Sequence, residues 1–66
     1  MNERILYFSN VLCKKLDLHL EGFIKRIEAI QRHDTEQVEY IEKTILEPLD
    51  LQIIYYTDKL LKSLKE

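Results

Sequence analysis

Cys13 and His19 are the residues of this chain whose types suit a nucleophile and its base, as in cysteine-dependent enzymes. Both fall in a segment with a helical pattern. Six residues of an α-helix turn through about 240°, so the thiol and the imidazole lie on different faces of one helix. We therefore interpret Cys13 as a small, buried or half-buried apolar residue. His19 is interpreted as a histidine at the edge of the core, with its ring reaching solvent.

Four glutamates in the second half of the chain raise a second chemical possibility, because grouped carboxylates bind metal ions or exchange protons. Helical bundles bind metals through inward-facing Glu-x-x-His patterns, and this sequence has none. A glycine-rich phosphate loop is also missing. We predict a solvated acidic face and a protein that is not an enzyme, with no metal, no cofactor and no small-molecule substrate. The glutamates are Glu36, Glu39, Glu42 and Glu47.

Two apolar repeats dominate the chain of 66 residues, of which 45% are hydrophobic and 33% are charged. One glycine and one proline leave few sites for tight turns, which disfavours a β-rich fold. Apolar residues recur at spacings of three and four, the repeat of one helical face. The first repeat is Ile5, Phe8, Leu12, Leu16, Leu20, Phe23, Ile27 and Ile30; the second is Val38, Ile41, Ile45, Leu49, Ile53, Tyr56, Leu60 and Leu64.

A short polar segment separates the two repeats. Within it Asp34 is a candidate N-cap, and Gln37 follows it at the spacing of a capping box. Two long helices joined by a short connection form an antiparallel hairpin. We predict one all-α domain over residues 1–66, with helices at about 3–32 and 35–65 and a turn at about 33–34.

Pro48 and Gly22 interrupt the helical pattern. Pro48 has no N–H to donate to the carbonyl of Thr44. Because Ile45 and Leu49 stay in phase across it, we favour a second helix kinked at Pro48 over a separate third helix. Gly22 costs its helix about 1 kcal/mol relative to alanine. It indicates either close approach of another backbone or a tolerated surface position.

The net charge of −2 argues against a strongly basic nucleic-acid binder. Residues 1–33 have six bases against four acids, and residues 34–66 have four bases against eight acids. This asymmetry fits two segments lying against each other, or a surface with one basic and one acidic region. The longest uncharged run, from Ile5 to Cys13, is too short to span a bilayer. With an unpaired thiol, we expect a cytoplasmic protein without a membrane role.

Apolar residues beyond the two repeats suggest that the hairpin does not act alone. A core of this size supplies only about 3–5 kcal/mol, and a monomer leaves these side chains in water. We predict that dimerisation, or a helical protein partner, completes a four-helix bundle. The expected partner contacts are Val11, Leu18, Leu51, Ile54, Tyr55 and Leu61.

Two short segments carry family resemblances. Near the end of the second helix, Leu46-Glu47 followed by Ile53-Ile54-Tyr55-Tyr56 resembles the small co-chaperones of type III secretion needle subunits. Those proteins are helical hairpins of similar length that bind a helical-repeat chaperone, so the resemblance implies a co-chaperone role. The turn His33-Asp34-Thr35-Glu36-Gln37 is similar to that of plasmid RNA-modulating hairpins, which dimerise into four-helix bundles and bind RNA through one basic face.

We expect a non-catalytic protein–protein interaction module of adaptor or co-chaperone type. The competing hypothesis is a small dimeric helical-bundle regulator that binds nucleic acid through the basic open end of the hairpin. Salt separates the two, because affinity for nucleic acid falls steeply with salt concentration whereas apolar docking hardly changes. The contacts expected in the second case are Arg4, Lys14, Lys15, Lys59 and Lys62.

Overall fold

The computed structural model describes residues 3–65, and all of these outside one three-residue turn are helical. Helix α1 spans Glu3–Gln31 and α2 spans Thr35–Ile41. A π-helical turn at Glu42–Leu46 follows α2 directly and leads into α3 at Glu47–Lys65. Residues 35–65, called the second arm, run back along α1. The all-α hairpin predicted from the sequence is confirmed, while its completion to a four-helix bundle stays a prediction.

The turn between the arms is a Schellman motif followed by an N-cap. Asp34 N–H donates to the Ala29 carbonyl at 2.9 Å, and His33 N–H donates to the Ile30 carbonyl at 3.0 Å. His33 adopts a φ of 59°, in the left-handed region where glycine is usual. Asp34 Oδ1 accepts from Gln37 N–H at 3.1 Å, which confirms the predicted N-cap. A complete capping box would also have a hydrogen bond from the Asp34 N–H to the side chain of Gln37. The Asp34 N–H already has a partner, so this second bond is not needed.

The π-helical turn accommodates Pro48. The N–H of Glu47 donates to the carbonyl of Glu42, five residues back, instead of the usual four. Pro48 then sits second in α3, where a missing N–H is tolerated. The Thr44 hydroxyl donates to the Tyr40 carbonyl at 2.6 Å, a bond that favours helix bending. The predicted distortion therefore lies one turn before Pro48, as a π-turn, and the helix continues through the proline.

The face of α1 that packs on the second arm is the contact line, and it follows heptad spacing. Its members are all buried or half-buried, whereas the residue after each is exposed in seven of eight cases. The predicted apolar stripe was therefore wrong from Leu16 onwards, because small side chains within the line allow closer approach of the arms than bulky ones. The contact line is Ile5, Phe8, Leu12, Lys15, His19, Gly22, Arg26 and Ala29.

On the second arm the predicted stripe is buried or half-buried from Val38 to Leu60. Leu64 is the exception, because it is 59% exposed while its neighbour Ser63 is 3% exposed. The Ser63 hydroxyl donates to the Lys59 carbonyl at 2.9 Å, which satisfies it without a partner on α1. The small side chain of Ser63 therefore faces α1 at the open end, in the place predicted for Leu64.

The buried core lies near the turn and is small. Ala29, Ile41 and Leu46 form it, with Val38 and Ile45 packed against it. Gly22 is buried beside this cluster: an added Cβ would lie 2.7 Å from Cγ2 of Ile45. Of the two roles considered for Gly22, close approach is therefore the one the structure has, and side chains of the π-turn make the approach.

The molecule is a thin rod with principal extents of 48 × 15 × 12 Å. Its radius of gyration is 14.8 Å, against about 11 Å for a compact domain of this length. The accessible surface is 5198 Å², against about 4,500 Å² for a typical folded monomer of this mass. The chain therefore exposes more surface than folding alone usually leaves.

Gly22→Ala tests the close approach at the π-turn. Alanine improves helix propensity by about 1 kcal/mol, but its methyl group collides with the β-branched Ile45. We expect a net loss of about 1–2 kcal/mol in the free energy of unfolding, measured by urea denaturation. In an Ile45→Ala background the loss should be clearly smaller, because the 2.7 Å contact is removed and only the 3.1 Å approach to Leu46 Cδ2 remains. A loss of equal size in both backgrounds would contradict this packing.

His33→Gly tests the Schellman motif. Glycine adopts the left-handed conformation without the strain that a β-carbon causes, so we expect the free energy of unfolding to rise by about 1 kcal/mol. Arg32→Gly is the matched control, since Arg32 has a negative φ and should lose about 1 kcal/mol instead. Both values come from urea denaturation followed by circular dichroism. Equal destabilisation by the two substitutions would exclude the strained turn.

Candidate interaction surface

A second heptad runs along α1, one residue after each member of the contact line. We call it the α1 seam. Its spacing alternates between three and four, as in the a and d positions of a coiled coil. The exposed fraction of its bulky side chains ranges from 39% at Ile27 to 57% at Leu20. The α1 seam is Leu6, Ser9, Cys13, Leu16, Leu20, Phe23, Ile27 and Ile30.

The contact line is polar in the same stretch where the seam is apolar. His19 Nε2 lies 2.8 Å from Asp50 Oδ1, and Arg26 Nε donates to Glu42 Oε1 at 2.7 Å. Both pairs join α1 to the second arm and keep part of their surface in water. Half-exposed ion pairs of this kind contribute about 1 kcal/mol or less each. They favour one register of the two arms but do not replace an apolar core.

His19 fits its sequence-based interpretation as a histidine at the edge of the core, whereas Cys13 does not fit its own. His19 is half-buried and its outer ring nitrogen contacts Asp50 rather than solvent alone. Cys13 is exposed, so the prediction of a buried or half-buried thiol was wrong. The reason is that Cys13 belongs to the α1 seam and not to the contact line. The pairing of Arg26 with Glu42 joins a base of the first half of the chain to an acid of the second, as expected of two segments lying against each other.

A groove between the arms links the seam to the core. Phe23 of the seam lines it together with His19, Arg26, Leu46 and Asp50. A second groove contains Leu18, Gly22, Ile45 and Pro48. Leu18 and Phe23 are about 140° apart around α1, so the two grooves open on different sides of the rod. Among the described residues, six of the fifteen large apolar side chains that are exposed belong to the seam.

Most of the six residues predicted from the sequence to contact a partner lie at the surface. Leu51 and Ile54 are the most exposed, at 70% and 66%, and Val11 alone is half-buried. Leu18, Tyr55 and Leu61 are each about half exposed. Leu18 lines the groove that contains Gly22 and Ile45. Their role in binding stays a prediction.

Sequence reasoning missed the seam because it assigned five of its members to the core. The signal that separates the two heptads is present in the sequence. Gly22 and Ala29 stand seven residues apart in the contact line, which is the spacing of closely approaching helices. Small residues in one heptad, beside bulky residues in the next, predict that the first faces the other arm. The misassigned residues are Leu16, Leu20, Phe23, Ile27 and Ile30.

The two ends of the rod differ in charge. At the open end Arg4, Lys59 and Lys62 line one groove with Phe8. Lys59 Nζ also lies 5.4 Å from the ring centroid of Tyr55, a cation–π contact. Lys62 Nζ lies 3.1 Å from Asp58 Oδ2. Of the five bases predicted to contact nucleic acid, the structure brings these three together; Lys14 and Lys15 lie further along α1.

The turn end is acidic, with Asp34, Glu36, Glu39 and Glu42 close together in sequence. Lys43 Nζ donates to Glu39 Oε1 at 2.6 Å. This hydrogen bond lowers the pKa of the Glu39 carboxyl and raises the pKa of the Lys43 amine. Glu39 is therefore charged at neutral pH, and its pair with Lys43, like that of Glu42 with Arg26, offsets part of the acidic charge of this end.

Over residues 3–65, no set of three or more His, Cys, Asp and Glu side chains is arranged to hold a metal ion. Nor does any helix in that range have the length and apolar content needed to cross a bilayer. No family model, curated protein or solved structure matches the chain.

Proposed function

We propose that this chain is a non-catalytic protein–protein interaction module of adaptor or co-chaperone type, which covers its α1 seam against a helical partner. One observation carries the proposal. In the middle of α1, the arms meet through Lys15, His19 and Arg26, while the adjacent heptad presents Leu20 and Ile27 to water. A hairpin adapted to stand alone has the opposite arrangement.

The energetics support a role for a partner. Among the described residues, fifteen large apolar side chains are exposed and only three apolar residues are buried. Fully burying one such side chain contributes about 1.5–3 kcal/mol, so covering half-exposed ones contributes about 1 kcal/mol each. Five of them together match the roughly 3–5 kcal/mol that a core of this size supplies. Docking therefore stabilises the hairpin about as much as its own core does.

The heptad spacing of the seam indicates the shape of the partner. Side chains at alternating spacings of three and four fit the holes of a facing helix along its whole length. The seam extends from Leu6 to Ile30, nearly the full length of α1. A long helix laid along α1 is the surface that covers it best.

A second candidate function is binding of single-stranded nucleic acid at the open end. The groove lined by Arg4, Phe8, Lys59 and Lys62 favours it. Basic side chains hold the phosphates of a single strand, and aromatic rings stack on its nucleobases. Asp58 and the acidic turn end oppose it. Fluorescence anisotropy with a single-stranded RNA oligonucleotide separates the candidates, since this affinity must fall steeply as salt rises.

The double substitution Leu20→Gln and Ile27→Gln tests the proposal. Neither side chain belongs to the contact line, so in dilute solution we expect the free energy of unfolding to change by less than about 1 kcal/mol. Self-association of the wild-type chain, measured by sedimentation, should be lost in the double variant. Ile41→Gln is the matched control: it places an amide in the core and should cost several kcal/mol. A stable monomer that loses equal stability in both variants would contradict the proposal, because the seam would then be internal.

A further inference from the structure

We infer that the partner on the α1 seam is a second copy of this chain, lying antiparallel with its own α1 seam facing the first. The inference rests on the proposed function and specifies which partner covers the α1 seam. Three features of the chain point to this arrangement: the order of seam residues, the distribution of charge and the amount of exposed surface.

The order of residues along the seam suits pairing with a second copy that runs in the opposite direction. The seam from Leu6 to Ile30 is centred on residue 18, close to the middle of the rod. Full antiparallel overlap of two copies places every a position opposite a d position, as antiparallel coiled coils require. The resulting pairs are Leu6 with Ile30, Ser9 with Ile27, Cys13 with Phe23, and Leu16 with Leu20 of the second copy.

This pairing also balances side-chain volume. The two small seam residues, Ser9 and Cys13, come to lie opposite the bulky Ile27 and Phe23. Alternating large and small residues across an interface fills it to the density of a protein interior. A parallel dimer instead places Cys13 on Cys13 and Phe23 on Phe23, which leaves a void at one layer and overpacks another.

Charge favours the same orientation. The open end has Arg4, Lys59 and Lys62, and the turn end has Asp34 and Glu36 beside the carboxylates that pair with Lys43 and Arg26. Antiparallel overlap brings the basic end of each copy beside the acidic end of the other. A parallel dimer sets like charges together at both ends, which costs affinity.

The exposed area is of the right size for a dimer. The surface of 5198 Å² exceeds that of a typical folded monomer of this mass by about 700 Å². A standard protein interface buries about 800 Å² on each partner. One additional contact, made along the seam, therefore brings the chain to the surface expected of a folded protein.

The test measures the distance between matching residues of two copies. Gln31→Cys is made in a Cys13→Ser background, labelled with a nitroxide and studied by double electron–electron resonance, with sedimentation equilibrium on the same sample. Gln31 is exposed, lies outside the seam and is near the turn end. Full antiparallel overlap separates the two labels by roughly 40 Å, since each residue adds about 1.5 Å along a helix. A parallel dimer brings them within roughly 20 Å.

A matched pair of variants assigns the interface. Leu20→Asp, at the centre of the seam, should convert the dimer to a monomer, whereas Leu18→Asp, on the other side of α1, should leave it dimeric. A dimer with the short label distance overturns the antiparallel arrangement and leaves the proposed function standing. A monomer with little helicity would show that the partner is not a second copy, and the proposed function would still stand. A stable, fully helical monomer overturns both.

Discussion

α1 has two heptads side by side and can turn only one of them towards the second arm. Gly22 and Ala29 decide which one. With no side chain at Gly22, Ile45 of the π-turn reaches the helix surface, and a β-carbon there would meet it at 2.7 Å. Close approach at this point fixes the rotation of α1 about its axis. Seven of the eight residues of the neighbouring heptad are thereby left exposed.

The consequence is a hairpin with polar residues between its arms and apolar residues on its surface. A hairpin that is stable alone has the reverse arrangement. Lys15, His19 and Arg26 occupy the contact line, where they pair across the arms or cover them with their aliphatic stems. The apolar residues of the seam remain outside. The core is confined to the region near the turn, and the rod is slender for its length. A chain built this way leaves fifteen large apolar side chains exposed among the described residues.

Sequence patterns predicted the helical hairpin and the N-cap at Asp34, because period and capping are local properties. They did not predict which face of α1 is internal. Periodicity shows that apolar residues share a face, but two heptads offset by one residue differ by only about 100°. The choice between them depends on Gly22 meeting Ile45, residues far apart in sequence. The π-turn was missed for a related reason. Pro48 predicts a distortion of the helix but does not indicate at which residues the distortion lies.

Isotope-filtered nuclear Overhauser spectroscopy on a mixture of labelled and unlabelled chains tests the central claim most directly. It separates contacts within one chain from contacts between chains. The account predicts contacts from the Gly22 α-protons to the Ile45 methyl groups within a chain, and contacts between Leu16 of one chain and Leu20 of the other. Strong contacts within one chain, from Leu16 or Leu20 to the apolar residues of the second arm, would contradict it.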